Sequence, residues 1–109
     1  MKRQSIEHTQ LLLLSLLSGR EMYGYEMILE LARRSQNVFE MKEGTLYPAL
    51  HALEKERLVA AYEREAPTGR VRKYYRITAA GRSCLAAEKE AWQKYAGAVD
   101  AVLRAEAAV

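Results

Sequence analysis

The chain has 109 residues, of which half are apolar and 28% are charged, a composition typical of a folded globular domain and not of a disordered or fibrous protein. This length allows one domain with a modest hydrophobic core. The net charge of +3 and the isoelectric point near 9.1 are only mildly basic, so the total charge does not by itself call for a polyanionic partner.

No targeting or membrane segment is predicted. The longest apolar run, Leu11 to Leu17, contains Ser15 and is far shorter than the roughly 20 residues that span a bilayer. Lys2 and Arg3 precede this run, but no small-residue cleavage site follows it, which argues against a secretory signal. The single cysteine, Cys84, excludes an internal disulfide and suits a reducing compartment. We therefore expect a cytoplasmic protein with no membrane partner.

The first helix is predicted from about Ser5 to Ser18. Ser5 is a good N-cap residue type, and Gly19 is placed to end the helix as a left-handed C′ glycine. A short loop from Arg20 to Tyr23 should follow. The core candidates of this helix are Ile6, Leu13, Leu14 and Leu17.

The second helix is predicted from about Tyr25 to Ser35 and is reached through Gly24. The segment after it is short, and we expect a turn with a single strand over Val38 to Met41. The apolar face of the second helix is predicted to consist of Tyr25, Ile28, Leu29 and Ala32.

The stretch from Glu43 to Leu58 predicts a third helix with two distinct faces. Leucines recur at helical spacing on one face and indicate a core-facing stripe. Because Pro48 lacks an N–H, the regular helix should begin close to Thr45, a good N-cap type, and end near Arg57. The other face is either an ordinary solvated surface or a docking surface. The stripe is Leu46, Leu50, Leu53 and Leu58, and the polar face is Thr45, Tyr47, Pro48, His51, Glu54 and Lys55.

A change to strand periodicity follows Leu58. Val59 to Glu65 and Arg70 to Ile77 predict two strands, and the turn residues between them predict a hairpin. On the second strand one face, interrupted by Lys73, should point to the core, and the other should point to solvent or a ligand. The predicted core face is Val71, Tyr75 and Ile77. The predicted solvent or ligand face is Arg70, Arg72, Tyr74 and Arg76.

The positive charge of the chain is concentrated around this hairpin. Between Ala66 and Arg82 there is no acidic residue, although the whole chain has 14. The local charge therefore favours an anionic partner more than the net charge does. The cations of this segment are Arg70, Arg72, Lys73, Arg76 and Arg82.

Thr78 is predicted to cap a last helix that runs to about Ala107. At 1.5 Å per residue this helix is about 45 Å long and must project beyond so small a domain. Large apolar residues follow one another at the spacing of a helix-to-helix seam, which Glu88 breaks near its start, so we expect a packed dimer face and not a long coiled coil. The predicted face is Leu85, Trp92, Tyr95, Val99 and Val102.

The order of these elements predicts a mainly α fold with a small β-hairpin (α+β). It is the order of a winged helix-turn-helix domain, here residues 1–78, followed by a dimerisation helix, residues 79–109. In such a domain the third helix enters the major groove and the basic hairpin reaches the flanking backbone. Thr45, Tyr47 and His51 would then meet base edges or methyl groups, and the hairpin cations beside Gly69 would release counterions from phosphates.

Three segments resemble the signature blocks of the PadR family of bacterial transcriptional regulators: YGYEM (Tyr23 to Met27), EGTLYPALHALEKERLV (Glu43 to Val59) and GRVRKYYRIT (Gly69 to Thr78). The short C-terminal part resembles the small subfamily with one dimerisation helix and lacks the multi-helix domain of larger members. The resemblance implies a homodimeric repressor that binds double-stranded DNA. Such repressors are commonly autoregulated, and their repression is often relieved by a small phenolic or drug-like effector. It assigns DNA-facing positions to Glu43, Thr45, Tyr47, Pro48, His51, Gly69, Arg70, Arg72 and Lys73.

Several of these residues have a structural alternative. Tyr47 and Tyr75 could belong to the core, and Glu43 could serve the positive end of the helix dipole. The resemblance also places a tryptophan of the last helix at an effector cavity between subunits, so Trp92 is either part of such a site for a flat aromatic molecule or simply packs the dimer with Tyr95. Cys84 is interpreted as a small half-buried or buried residue, with a redox or alkylation sensor as the alternative.

The sequence contains no pattern of an enzyme. His8 and His51 have no partner at metal-ligand spacing, and there is neither a glycine-rich phosphate loop nor a recognisable nucleophile, so we expect no catalytic residue, metal or cofactor. The alternative function is an effector-sensing or protein-interaction module that binds DNA weakly, because the third helix carries cations only near its end, at Lys55 and Arg57.

Overall fold

The computed structural model describes residues 8–107 of the chain, with side chains described for residues 8–104. It contains four helices and one antiparallel three-stranded sheet, which confirms the predicted α+β class and the long last helix. The elements are α1 (Thr9–Gly19), β1 (Met22–Tyr23), α2 (Gly24–Arg34), α3 (Glu43–Lys55), β2 (Val59–Glu65), β3 (Val71–Ile77) and α4 (Ala79–Ala107). We call β2, β3 and the turn between them the wing.

The limits of α1 differ from the prediction at both ends. The helix begins at Thr9, because His8 has the left-handed φ of 63°; the predicted cap Ser5 and core residue Ile6 lie outside the described residues. Gly19 is the last helical residue and not a left-handed C′ glycine. The chain leaves the helix at Arg20 in extended conformation, with φ at −169°.

The segment predicted as a loop after α1 contains a strand. Met22 pairs with Tyr75 and Tyr23 pairs with Tyr74, so β1 adds to the free edge of β3. The strand order is β1-β3-β2, and β3 is central. Two residues are too few to show the alternation that identifies a strand in a sequence.

The central position of β3 explains a correction to the predicted strand faces. Tyr74, expected on the solvent side, is 1% exposed. Its ring packs between those of Tyr23 (centroids 5.4 Å apart) and Tyr62 (6.1 Å), and the Arg64 guanidinium lies 4.0 Å from its centroid. Conversely, Val71 is 65% exposed, because it lies at the start of β3, beyond the core.

One hydrophobic core lies between the helices and the inner face of the sheet. The predicted leucines of α1 and the leucine stripe of α3 are buried in it. The predicted face of α2 was wrong in part: Ile28 does pack against the core, but Tyr25 and Leu29 are about half exposed, and Met27 and Leu31 are buried instead. The core residues are Leu13, Leu14, Leu16, Leu17, Met22, Met27, Leu31, Met41, Leu46, Leu50, Leu53, Leu58, Val59, Tyr75, Ile77 and Leu85.

The connection from α2 to α3 is irregular. The strand predicted over Val38 to Met41 is absent, because the chain turns through Gln36 and Asn37, both with positive φ, and then runs directly to α3. Met41 is nevertheless buried in the core. It therefore anchors the connection as a core residue and not as part of a sheet.

Helix α3 begins earlier than predicted and contains Pro48 in its second turn. Lys42 is the N-cap residue, and its carbonyl accepts hydrogen bonds from the N–H groups of Thr45 and Leu46, both at 2.9 Å. Thr45 is thus a helical residue and not the cap. Since Pro48 has no N–H, the helical hydrogen bond to the carbonyl of Gly44 is not formed, but the helix continues through this position.

Helix α4 starts as predicted and extends beyond the body of the domain. The Thr78 hydroxyl accepts a hydrogen bond from the Gly81 N–H at 3.0 Å, which confirms the cap. The structure measures 60 × 35 × 24 Å along its principal axes. Leu85, predicted in the dimer face, is instead buried in the core of its own chain, because the first turns of α4 pack on the body. None of the described helices has the length and hydropathy of a membrane span.

Candidate nucleic-acid interface

The tip of the wing is a tight turn that requires glycine. The Gly69 N–H donates to the Ala66 carbonyl at 2.8 Å, and the Ala66 N–H donates to the Arg70 carbonyl at 2.8 Å. Gly69 has φ at +92°, in the region that side chains disfavour. The predicted turn is confirmed, and it leaves Arg70 exposed at the tip.

The predicted DNA-facing side chains of α3 are all on its exposed surface. Thr45 and His51 lie in solvent, and Tyr47 is 36% exposed. Glu43 is in the first turn, where its negative charge faces the positive end of the helix dipole. The exposed set is Glu43, Thr45, Tyr47, Pro48 and His51.

A cleft of about 500 Å³ separates α3 from the wing. It brings together four of the predicted site residues from two distant segments of the chain, Glu43 and Tyr47 on α3 and Arg72 and Lys73 on β3. The other predicted residues lie outside it, on the free surface of α3 or at the wing tip. Its lining is completed by Tyr23, Gly24, Tyr25 and Val71.

The start of α2 was not predicted as part of this site. Its only signal in the sequence was the block YGYEM, which carried the family resemblance but no assigned role. Gly24 shows what this block does: a Cβ atom built on it would overlap the phenol of Tyr47. Glycine at this position therefore allows α2 and α3 to approach closely and fixes where Tyr47 can lie.

Arg72 is held against the sheet and not at the tip of the wing. Its guanidinium lies 5.2 Å from the ring centroid of Tyr23, a distance typical of a cation–π contact. Its Nε is buried and has no hydrogen-bond partner among the described residues. Arg72 also faces Arg64 directly across the β2–β3 pair, so two guanidinium groups, each next to a tyrosine ring, concentrate positive charge on this side of the wing.

Lys73 interacts with α3. Its Nζ lies 3.9 Å from Oε1 of Glu54 and 5.6 Å from the ring centroid of Tyr75. Tyr75 is 1% exposed, which confirms its prediction as a core residue. Burial raises the pKa of its phenol above the ordinary value of 10.0, and the Lys73 charge opposes that shift.

A carboxylate links the segment before β1 to the outer side of the wing. Glu21 accepts a hydrogen bond from the Tyr62 hydroxyl and lies 3.8 Å from the Arg64 guanidinium. The hydrogen bond to Glu21 raises the pKa of Tyr62, since it favours the protonated phenol. Arg64 is thus partly neutralised within the chain, while Arg72 has no carboxylate partner among the described residues.

The far half of α4 exposes a row of large apolar side chains. Trp92 and Val99 are about 40% exposed, and the others are more exposed still. The Trp92 ring contacts the rings of His8 and Tyr95, with centroids 5.0 and 5.9 Å away. We call this surface the α4 apolar row; it consists of the predicted Trp92, Tyr95, Val99 and Val102, together with Leu103.

The described residues contain no group of three or more His, Cys, Asp or Glu side chains that could hold a metal ion.

Cys84 is half buried, and its Sγ lies 3.4 Å from both Gln10 Nε2 and Glu88 Oε2. Burial raises the pKa of its thiol, and Glu88 raises it further. A protonated thiol is a poor nucleophile, so its surroundings favour the structural interpretation over the sensor.

Comparison with known proteins identifies relatives that match most of the chain. Residues 13–87 match the model of the transcriptional regulator PadR-like family. The chain is 35% identical over 79 residues to the transcriptional regulator Rv3488 of Mycobacterium tuberculosis, covering 72% of this chain and 70% of that protein.

Two solved structures show the same architecture. A PadR-like transcriptional regulator from Bacillus cereus superposes with a TM-score of 0.78 at 31% identity, covering 86% of this chain and 89% of that one. A PadR family transcription regulator from Clostridium difficile superposes with a TM-score of 0.73 at 33% identity, covering 86% and 96%. The similarity therefore spans most of each chain and is not confined to one motif.

Proposed function

The chain belongs to the PadR-like family of transcriptional regulators, and we propose that it is a homodimeric repressor that binds double-stranded DNA at an inverted-repeat operator. The related proteins of known structure are transcriptional regulators and not enzymes.

The observation that supports DNA binding most strongly is the arrangement of α3 beside the wing. The exposed face of α3 and the cationic wing border one cleft, so a duplex could meet both at once. A helix of this kind fits the major groove, while a basic hairpin contacts the backbone beside it. Arg70 at the tip and Arg72 over Tyr23 are the proposed phosphate contacts.

The α3 side chains would have different tasks in this complex. Thr45 and His51 offer hydrogen-bonding groups to base edges, and Tyr47 and Pro48 offer apolar contact, for example to thymine methyl groups. Glu43 supports the start of the helix. Gly69 gives the wing its turn and has no side chain to keep the backbone away from a phosphate.

The α4 apolar row supports the dimer. Contiguous large apolar side chains on the surface of a small protein mark interaction sites, and a second α4 is the complementary surface that a two-fold axis supplies. Two copies joined in this way would carry two α3 helices to half-sites one helical turn, or a multiple of it, apart.

A small flat aromatic molecule bound between the two Trp92 rings would relieve repression in this proposal. It is supported by the partly exposed Trp92 next to Tyr95 at the border of the α4 apolar row. Because Trp92 is the only tryptophan, titration of aromatic cations should quench the tryptophan emission. Undiminished emission, or ligand binding that is unchanged in Trp92→Ala, would contradict the effector site.

The test of DNA binding is selection of genomic fragments with the purified protein, followed by titration of the selected duplex at several salt concentrations. The logarithm of the binding constant should fall with the logarithm of salt concentration, with a slope of roughly −0.9 per phosphate contact. The double variant Arg70→Gln, Arg72→Gln should flatten that slope by about 1.8. A matched control is Arg104→Gln, near the far end of α4.

A flat salt dependence, or an affinity that the wing substitutions leave unchanged, would favour the alternative function. In that case the chain would be an effector-sensing or protein-interaction module. The observation that favours this alternative is the small number of cations on α3, where Lys55 and the neighbouring Arg57 lie only at its end.

A further inference from the structure

Lys73 lies where β3 emerges from the hydrophobic core and passes α3. Along β3 it shares a face with Tyr75 and Ile77, which are both buried. Its side chain therefore starts from the core side of the wing and reaches Glu54 on α3, at an N–O distance of 3.9 Å. Among the described residues, this is the ion pair that joins α3 to the wing.

Glu54 belongs to the surface of α3 that is proposed to meet DNA. It follows His51 by three residues and Tyr47 by seven, so the three side chains lie along one face of the helix. Its side chain is 39% exposed. An unpaired carboxylate at this place would repel the phosphates of an approaching duplex, and Lys73 supplies the neutralising charge.

The other wing cations are placed differently. Arg70 is exposed at the tip, and Arg72 is stacked over Tyr23; neither has a carboxylate within ion-pair distance among the described residues. If Lys73 moved to a phosphate, it would leave Glu54 unpaired beside the DNA. Glu54 and Lys73 together therefore present no net positive charge to the duplex.

We propose that Glu54 and Lys73 form a positioning pair that sets the wing against α3, and that Lys73 is not a contact to the DNA backbone. This inference rests on the proposed function, and for Lys73 it replaces the role that the family resemblance implies. Both side chains are partly exposed, so their coupling is modest, about two- to fivefold in an equilibrium constant. The contact sets the spacing between two DNA-binding elements.

The first test is the salt dependence of operator binding. In the double variant Glu54→Gln, Lys73→Gln no net charge is removed, so the slope should equal that of the wild type. In Arg70→Gln, the matched single-cation control, the slope should become shallower by about 0.9. A double variant whose slope falls by about 0.9 would show that Lys73 contacts a phosphate and would overturn the inference.

The second test needs no DNA. Amide hydrogen exchange in residues 70–73 of the free protein should accelerate about two- to fivefold in Glu54→Gln and in Lys73→Gln. The double variant Glu54→Gln, Lys73→Gln should accelerate exchange no more than either single variant, because both changes remove the same contact, and Arg70→Gln should leave the rates of residues 71–73 unchanged. Unchanged exchange in both single variants would overturn the positioning role even if the protein binds DNA.

The two tests also separate this inference from the proposed function. If exchange in the wing accelerates in the single variants but the wild type binds no DNA, the proposed function is refuted and the contact between α3 and the wing is retained. If the wild type binds its operator but exchange is unchanged in the single variants, the proposed function is retained and the positioning role is refuted.

Discussion

Gly24 allows a close contact between α2 and α3. Its missing side chain leaves the space that the Tyr47 phenol occupies, and Tyr47 in turn lines the cleft between α3 and the wing. A change at Gly24 should therefore affect both stability and DNA binding, although Gly24 itself is buried.

Gly24→Ala should lower the free energy of unfolding by about 1 to 3 kcal/mol, because the added methyl overlaps Tyr47 and forces it to move. Urea denaturation measures this change, and operator binding should weaken in the same variant. Gly97→Ala on α4 is the control, since a Cβ there meets nothing within 4 Å; it should leave stability unchanged or raise it slightly. Equal stability of the wild type and Gly24→Ala would contradict the close contact.

Among the acidic side chains of the described residues, Glu30 has the most strongly shifted pKa. Hydrogen bonds from Arg33 at 2.6 Å and Arg34 at 2.7 Å lower its pKa from 4.5 to about 2. A carboxyl group whose pKa is lower in the folded state stabilises that state above its unfolded pKa. This contribution is therefore complete above about pH 4.5 and is lost as the pH falls towards 2.

Glu30→Gln should consequently lower the thermal midpoint at pH 7, and the difference from the wild type should shrink between about pH 4.5 and pH 2. Thermal unfolding followed by circular dichroism across this range measures it. Glu40→Gln removes an exposed carboxylate without an ion pair among the described residues and should show no such pH dependence. A difference that stays constant with pH would contradict the assigned pKa.

The first turns of α3 and α4 show how differently two helix starts can be built. Helix α4 uses a side-chain cap: the Thr78 hydroxyl accepts from the Gly81 N–H, and its single proton is shared between the carbonyls of Arg57 and Leu58, at 2.8 and 3.0 Å. Helix α3 has no side-chain cap at Lys42. The sequence rule that cap residue types mark helix starts therefore holds for Thr78 and fails for Thr45.

Thr78→Ala should destabilise the fold by about 0.5 to 2 kcal/mol, because it removes the cap of α4. Thr45→Ala is the matched comparison and should change stability by less than about 0.5 kcal/mol, since Thr45 is inside α3 on its exposed face. Urea midpoints of the two variants measure the contrast. An equal loss in both would indicate that α3 begins at Thr45 after all.

The shape of the whole molecule is set by α4, whose first turns pack on the body and whose far half projects from it. Leu85 and the α4 apolar row lie on the same helix, yet the first is buried within its own chain and the second is exposed. The exposed row is what a second copy would cover. Burying it would bring two projecting helices together and orient the two proposed DNA-binding surfaces by symmetry.

Val102→Asp should convert the proposed dimer to a monomer at micromolar concentration. Placing a carboxylate in an apolar interface costs about 2 kcal/mol or more, which raises Kd at least about 30-fold. Light scattering measures the change. Ala101→Asp carries the same charge on the opposite side of α4 and should stay dimeric; a wild type that is monomeric, or equal behaviour of the two variants, would contradict pairing along the α4 apolar row.

The sequence by itself determined the features that depend on residues close together in the chain. The limits of β2, the turn at Gly69, the cap at Thr78 and the leucine stripe of α3 all follow from residue types a few positions apart. Each of these signals acts between chain neighbours, so it needs no knowledge of the rest of the fold. The order of the predicted elements gave the fold class, and the resemblance of three segments to one family agreed with it.

Only the tertiary structure decided what covers each surface. Tyr74 is buried because the short strand β1 brings Tyr23 beside it. Leu85 belongs to the core because α4 begins against the body, and Lys73 meets Glu54 because β3 passes α3. Residue alternation tells which side chains share a face, but burial and ion pairing depend on segments distant in sequence that fold against that face.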